Sequence, residues 1–190
     1  MKTKIKNIIA DSIDVKSKIL NNENLVKEIS YIVNVCIESL KKGGSIYWCG
    51  NGGSVADAQH LSAELTGKFY FDREPLSSIA LHCNTSYLTA ISNDYGYEFV
   101  YSRLIKAIGK RGDVLIGLST SGNSMNIIKA FETAFELGMK TVGLTGGTKS
   151  KLNPEFLIKI PSSDIPRIQE SHITIGHIIC QLIEEKMFKK

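Results

Sequence analysis

No stretch of this 190-residue chain approaches the roughly 18–20 uncharged residues that a membrane-spanning helix needs. The opening segment MKTKIKNIIADSID has basic residues, but its apolar positions are interrupted and Asp11 and Asp14 follow closely. That is not the pattern of a signal peptide, so the expectation is a cytoplasmic protein with no membrane partner. Cysteine is sparse. Cys36, Cys49, Cys83 and Cys180 lie far apart with no CxxC pair, and three of them sit in apolar runs. They read as small buried hydrophobes in a reducing compartment. Excess charge is lacking too. Twenty-three Lys and Arg against 19 Asp and Glu leave a net +4, too little to suggest nucleic acid. The basic residues crowd the termini (Lys2, Lys4, Lys6; Lys186, Lys189, Lys190), where solvated ends explain them. Linkers, low-complexity segments and internal repeats are absent. With 43% apolar and 8% aromatic residues, the chain can bury a real core. One compact domain over residues 1–190 follows.

The first forty residues read as two helices. Ile5, Ile8, Ile9 and Ile13 recur with helical spacing, and Leu25, Ile29, Ile32, Val33, Cys36, Ile37 and Leu40 continue the period. Lys41-Lys42-Gly43-Gly44 closes the second helix with cations and then glycine. Short apolar strands then alternate with helices. The strands fall at 45–49, 78–81, 114–118, 141–144 and 156–160, the last ended by Pro161. A helix runs from the turn at 50–54 to Gly67, a polar helical stretch follows the second strand, and another helix ends at Leu137. A long final helix covers about 166–186, with proline in its first turn. This alternation predicts a doubly wound, flavodoxin-like α/β domain whose five-stranded parallel sheet is covered on both faces.

In such a sheet, ligands bind beyond the carboxyl ends of the strands. Two loops in that position have unusual composition. The first, CGNGGS at 49–54, fails the test of a dinucleotide fingerprint. Its third glycine position is Val55, and no acidic residue ends the second strand. A P-loop is excluded because no Gly-Lys-Ser/Thr occurs. The second loop, STSGNS at 119–124, offers Ser119, Thr120, Ser121 and Ser124 between a strand and a helix N-terminus. An ordinary N-cap needs one hydroxyl; four, with glycine and no lysine, suit a phosphate held by unpaired N–H groups. A sugar monophosphate fits better than a nucleoside triphosphate, which also needs lysine and magnesium ligands.

Acid–base candidates complete the set. His60 and Glu64 are four apart, so they share one face of the helix that begins at CGNGGS, and both can lie near the phosphate. In the final helix, Arg167, Gln169, Glu170, His172 and His177 interrupt a strongly apolar segment. A histidine placed like His177, directly before Ile178-Ile179-Cys180, is ordinarily a satisfied core residue. It joins His60, Glu64 and Gln169 only where the two helices meet, which spacing alone does not decide.

CGNGGS, QHLSAELTGK, Asn93-Asp94, GDVLIGLSTSGNS, the Thr145-Gly146-Gly147 turn and RIQESHITIGH together resemble the sugar isomerase (SIS) family, and within it the phosphoheptose isomerases. The resemblance runs in one register from about residue 20 to the C-terminus. It implies the SIS fold and an aldose–ketose isomerisation. The ketose would be sedoheptulose 7-phosphate and the product D-glycero-D-manno-heptose 7-phosphate, the first step towards activated heptose for surface polysaccharide such as lipopolysaccharide or capsule. It further implies Glu64 as catalytic base and His177 as catalytic acid. His60, Glu64, Gln169 and His177 match the ligands of one zinc per subunit. Asn51, Gly52, Gly53, Asn93, Asp94, Ser119, Thr120, Ser121, Ser124 and Gln169 match substrate contacts. The family is usually a homotetramer with active sites at subunit boundaries, which gives helices 1–42 a role in assembly.

Three features depart from that pattern. Gln169 and His177 are eight residues apart, a rise of about 12 Å on a straight helix, so one metal takes both only if their side chains lean together or another subunit supplies one. Lys68 stands where an arginine is common, replacing a bidentate fork by a point charge. Pro166 stands where some members carry aspartate, with Asp164 as the nearby acid. Two rival readings remain: a non-catalytic SIS relative that binds the replication initiator DnaA, and an isomerase of another sugar phosphate such as arabinose 5-phosphate. Glu64 and His177 favour an enzyme over the first, and the lack of extra domains disfavours the second.

Overall fold

The computed structural model describes residues 1–189, and Lys190 lies outside them. The elements are α1 (Lys2–Leu20), α2 (Glu23–Lys41), β1 (Ile46–Cys49), α3 (Gly53–Thr66), β2 (Ser78–Ala80), α4 (Thr85–Tyr95), α5 (Val100–Ile108), β3 (Val114–Ser119), α6 (Met125–Glu136), β4 (Lys140–Thr145), β5 (Phe156–Lys159) and α7 (Ile165–Phe188). The five strands are all parallel, in the order β2-β1-β3-β4-β5. This is the expected flavodoxin-like winding. The chain leaves β1 outward to β2, then crosses back to β3, so the order reverses between β1 and β3, where open α/β sheets bind ligands. Among the described residues, no helix is long and apolar enough to cross a membrane.

Successive strand residues face opposite sides, and each side has its own core. Ile46, Trp48, Val114, Ile116, Leu118, Val142 and Leu144 pack under α2, α3 and α7. Tyr47, Cys49 and Leu115 pack under α5 and α6. Gly117 is on the second side because Phe131 and Ile127 lie where its Cβ would be. Cys36, Cys49 and Cys180 are buried as expected, Cys83 is exposed, and all four are free. Burial pushes the Cys36 thiol up to about 12.

One element escaped the sequence reading. The single polar helical stretch expected after the second strand is α4, a 3-10 turn at Tyr97–Phe99 and then α5. Gly96, at φ +99°, breaks the run, and α5 buries Val100, Tyr101 and Ile105 while α4 buries nothing.

α7 lies beside α3 and runs in the same direction. Gln169 meets Gly53, Gly176 meets Leu61, and His177 meets His60, so contacts advance together along both helices. His172, on the buried side of α7, is fully enclosed, and neither ring nitrogen has a hydrogen-bond partner. Burial pushes its pKa down to about 4.

The folded chain therefore keeps His172 neutral, whereas the unfolded chain takes up a proton near the ordinary histidine value. Stability should fall as pH drops from about 6.5 towards 4 and level off below that. Chemical denaturation at pH 7 and pH 5 should differ by on the order of 2 kcal/mol from His172, and His172→Leu should be flatter. Parallel pH dependence in the two proteins would refute the assignment.

Candidate active site

Both loops singled out by composition emerge at the carboxyl edge, on either side of the β1/β3 reversal. In the second loop, Ser119 Oγ lies 3.0 Å from Ser124 Oγ and accepts the Gly122 N–H at 3.2 Å. Ser121 Oγ accepts the Asn123 N–H, and the Thr120 carbonyl accepts the Gly146 N–H. Gly122 sits at φ +65° with Ser150 and Thr145 crowding the space a side chain would need. Ser124 is the N-cap residue of α6 and no side chain caps that helix, so its first N–H groups stand next to one of the hydroxyls. These hydroxyls and the helix start beside them are an uncharged set of donors suited to an oxyanion.

The first loop is pinned to the second. Asn51 and Asn126 exchange two amide hydrogen bonds, at 2.9 and 2.8 Å, and the Tyr97 hydroxyl donates to Asn51 Oδ1 at 2.9 Å. Gly52 at φ +56° makes the turn, and Gly53 opens α3. The Gln169 amide lies so close to Gly53 that a Cβ there would be 2.6 Å from its Nε2. Asn93 and Asp94 are exposed near the end of α4 and bond to each other at 2.9 Å, and among the described residues neither bonds to the two loops. Nothing in the sequence marks Asn126 or Tyr97, because hydrogen bonds between residues so far apart in the chain leave no periodicity.

The acid–base candidates form a second cluster. His60 Nε2 is 2.9 Å from His177 Nε2 and 3.1 Å from Glu64 Oε1, and ligand atoms of all three fall within 4.8 Å of one another. So α3 and α7 do meet, and His177 is a half-buried member of this cluster rather than an enclosed core histidine. Burial, with His60 adding to it and Glu64 opposing, holds the His177 pKa below the ordinary value. Two imidazoles and a carboxylate that converge this way are a donor set that fits a divalent metal ion. Phe69 lies against the other side of His177, with ring centroids 5.7 Å apart.

The two clusters are not adjacent within the chain. α3 runs away from the carboxyl edge, and at about 1.5 Å per residue His60 lies about 10 Å, and Glu64 about 16 Å, along it from Gly53. Spacing on a helix gave the face correctly but not the end. Gln169 stands with the loops, about two turns of α7 from His177, and the structure does not bring it to the three-residue cluster. Arg167 and Glu170 are turned the other way. Arg167 donates to the Ile8 carbonyl and to Glu170, and Glu170 accepts from Ser12 at 2.7 Å, which fastens α1. Lys68, Asp164 and Pro166 are exposed.

A SIS domain family profile matches residues 9–146. The chain is 53% identical over 187 residues to a phosphoheptose isomerase of Aneurinibacillus thermoaerophilus, covering 97% of this chain and 94% of that one. It is 48% identical over 190 residues to a phosphoheptose isomerase of Clostridium acetobutylicum, covering 99% and 97%. The structure of a phosphoheptose isomerase from Francisella tularensis superposes with a TM-score of 0.91 at 34% identity, over 96% of this chain and 97% of that one.

The geometry predicts a metal site made by side chains from both helices. Titration with Co(II) should show one ion bound per chain, and Glu64→Gln or His177→Ala should each weaken binding at least about tenfold. Equal affinity in all three proteins would refute the site.

Proposed function

The chain belongs to the SIS domain family, and from that premise we propose that it is an aldose–ketose isomerase converting sedoheptulose 7-phosphate to D-glycero-D-manno-heptose 7-phosphate. The observation that carries this is the convergence of Glu64, His60 and His177 from two helices in a chain that also holds a hydroxyl-lined helix N-terminus. The first supplies proton transfer and the second an anion cradle. The half-identical relatives named as phosphoheptose isomerases favour this over an initiator-binding protein or an isomerase of a shorter sugar phosphate.

In this reading, Ser119, Thr120, Ser121, Ser124 and the α6 N-terminus hold the phosphate. Asn51, Gly52, Gly53, Asn93, Asp94 and Gln169 bind the sugar hydroxyls. The Glu64 carboxylate takes the proton from C1 and returns it to C2. His177 donates a proton to the C2 carbonyl oxygen and recovers one from the C1 hydroxyl, so the sugar passes through an enediol. His60, Glu64 and His177 fit a divalent cation, proposed to be one zinc per subunit, which when bound supplies polarisation of the carbonyl. Gln169 joins it as a ligand only if contributed by a neighbouring subunit.

That condition bears on assembly. The cradle adjoins the start of α3 and the proton-transfer cluster lies along its second half, so we propose a homotetramer whose active sites combine the two from different subunits. The exposed stripe of α1 supports this: Ile5, Ile8, Ile9 and Ile13 are 44–59% exposed, and α1 buries only Val15. The enzyme would work in the cytoplasm, at the entry to heptose for lipopolysaccharide or capsule, with neither nucleic acid nor membrane as partner.

NMR of sedoheptulose 7-phosphate with the wild type and zinc should show the aldose appearing, and Glu64→Gln should slow it about 10²–10⁴-fold. An inert, zinc-loaded wild type would refute the reading. Removal of residues 1–20 should abolish the tetramer in light scattering. A truncated chain that still ran as a tetramer would remove α1 from assembly.

A further inference from the structure

The far end of the α3/α7 pair holds an ion pair that none of the proposed steps uses. Arg73 and Glu184 are almost wholly enclosed, with Nε to Oε1 at 2.9 Å. The other bonds of the guanidinium go to backbone carbonyls at the end of α3 and in the loop that follows it. Nη2 donates to the Glu64 carbonyl at 2.9 Å, and Nη1 donates to the carbonyls of Leu65, Gly67 and Glu74 at 2.8 to 3.0 Å. The Glu184 carboxylate in turn accepts three successive backbone N–H groups, from Phe69, Tyr70 and Phe71. Although burial pushes Glu184 up, these bonds and Arg73 hold its pKa below the carboxylate range.

The positions of these bonds matter more than their number. Glu64 and His177 sit on different helices, and the pair is bonded to the backbone of the first and carried by the helix of the second. Glu184 follows His177 by seven residues on α7, two turns along one face. The loop it holds begins with Phe69, whose ring lies against His177. A purely stabilising pair would need neither link, and burial of an ion pair is by itself a poor source of stability.

We propose that Arg73 and Glu184 are positioning residues for the Glu64/His177 pair: they fix the last turn of α3 at the Glu64 carbonyl and hold the Phe69 ring against the His177 imidazole. Neither touches substrate. The kinetic part of this inference rests on the isomerase reading; the geometric part does not.

The test compares full-length Arg73→Lys, Glu184→Gln and Phe69→Leu with Val142→Ala, a core change on β4 remote from the pair. In metal-free protein, the imidazole Cε1–H signals of His60 and His177 should move in the first two variants, and that of His177 in the third. The His82 signal should stay in place in all. With sedoheptulose 7-phosphate, Arg73→Lys and Glu184→Gln should lower kcat about 10–100-fold with little change in KM, as loss of supporting hydrogen bonds does around metal ligands. Val142→Ala should leave both the signals and kcat alone despite a lowered Tm. Unmoved His60 and His177 signals in folded ion-pair variants overturn the proposal, as does an equal response from Val142→Ala. If neither ion-pair variant folds, an unmoved His177 signal and unchanged kcat in Phe69→Leu overturn it. A wild type inert towards the sugar phosphate removes the isomerase reading and leaves the NMR comparison to decide this one.

Discussion

Leu61 occupies the space that a side chain at position 176 would fill, and this contact sets how closely α3 and α7 can lie. With no Cβ at Gly176, the helices approach until the imidazoles of His60 and His177 face each other. Because the helices run in the same direction, one glycine near the middle of α7 fixes the register of the whole pair. Gln169 is then brought to the start of α3, and Glu184 to the loop beyond its end. An overpacked contact here costs more than stability, since a shift of one residue in register would separate every functional group the two helices carry.

The sheet solves a different problem. Parallel strands present their carboxyl ends on one edge, and the reversal between β1 and β3 leaves a crevice there with loops on each side. Asn51 and Asn126 close that crevice with a reciprocal amide pair, so the two loops are held as one unit before any ligand arrives. The hydroxyl-rich loop and the His60, Glu64 and His177 cluster are thus built by separate devices: a strand-to-helix turn at the edge of the sheet, and side chains on a helix pair below it.

That division explains what could be read from the sequence. The strands are short apolar runs and the loops are rich in glycine and hydroxyls, so the winding and the places of the two loops at the carboxyl edge were both legible. His60 and Glu64 announced themselves by sharing a helix face. Their distance from the phosphate loop was not legible, because a period gives an angle around an axis and says nothing about which end of the helix a loop occupies. α5 was missed because Gly96 breaks one helical stretch into two, and the apolar spacing of Val100, Tyr101 and Ile105 was absorbed into a longer polar segment. Arg73 carried no signal at all. Glu184 carried a faint one, as a charge next to the buried stripe of Ile175, Ile179 and Ile183.

The strands that end the sheet are β2, with three residues, and β5, with four. A parallel sheet closes only after segments distant in the chain have found each other, so its edges stay open to other chains for longer than those of a hairpin. Short edges limit how much unpaired backbone can template such an encounter, and on β5 the exposed Lys159 and Pro161 just beyond it discourage pairing further. The brevity of these two strands is a safeguard against aggregation while the domain is still assembling.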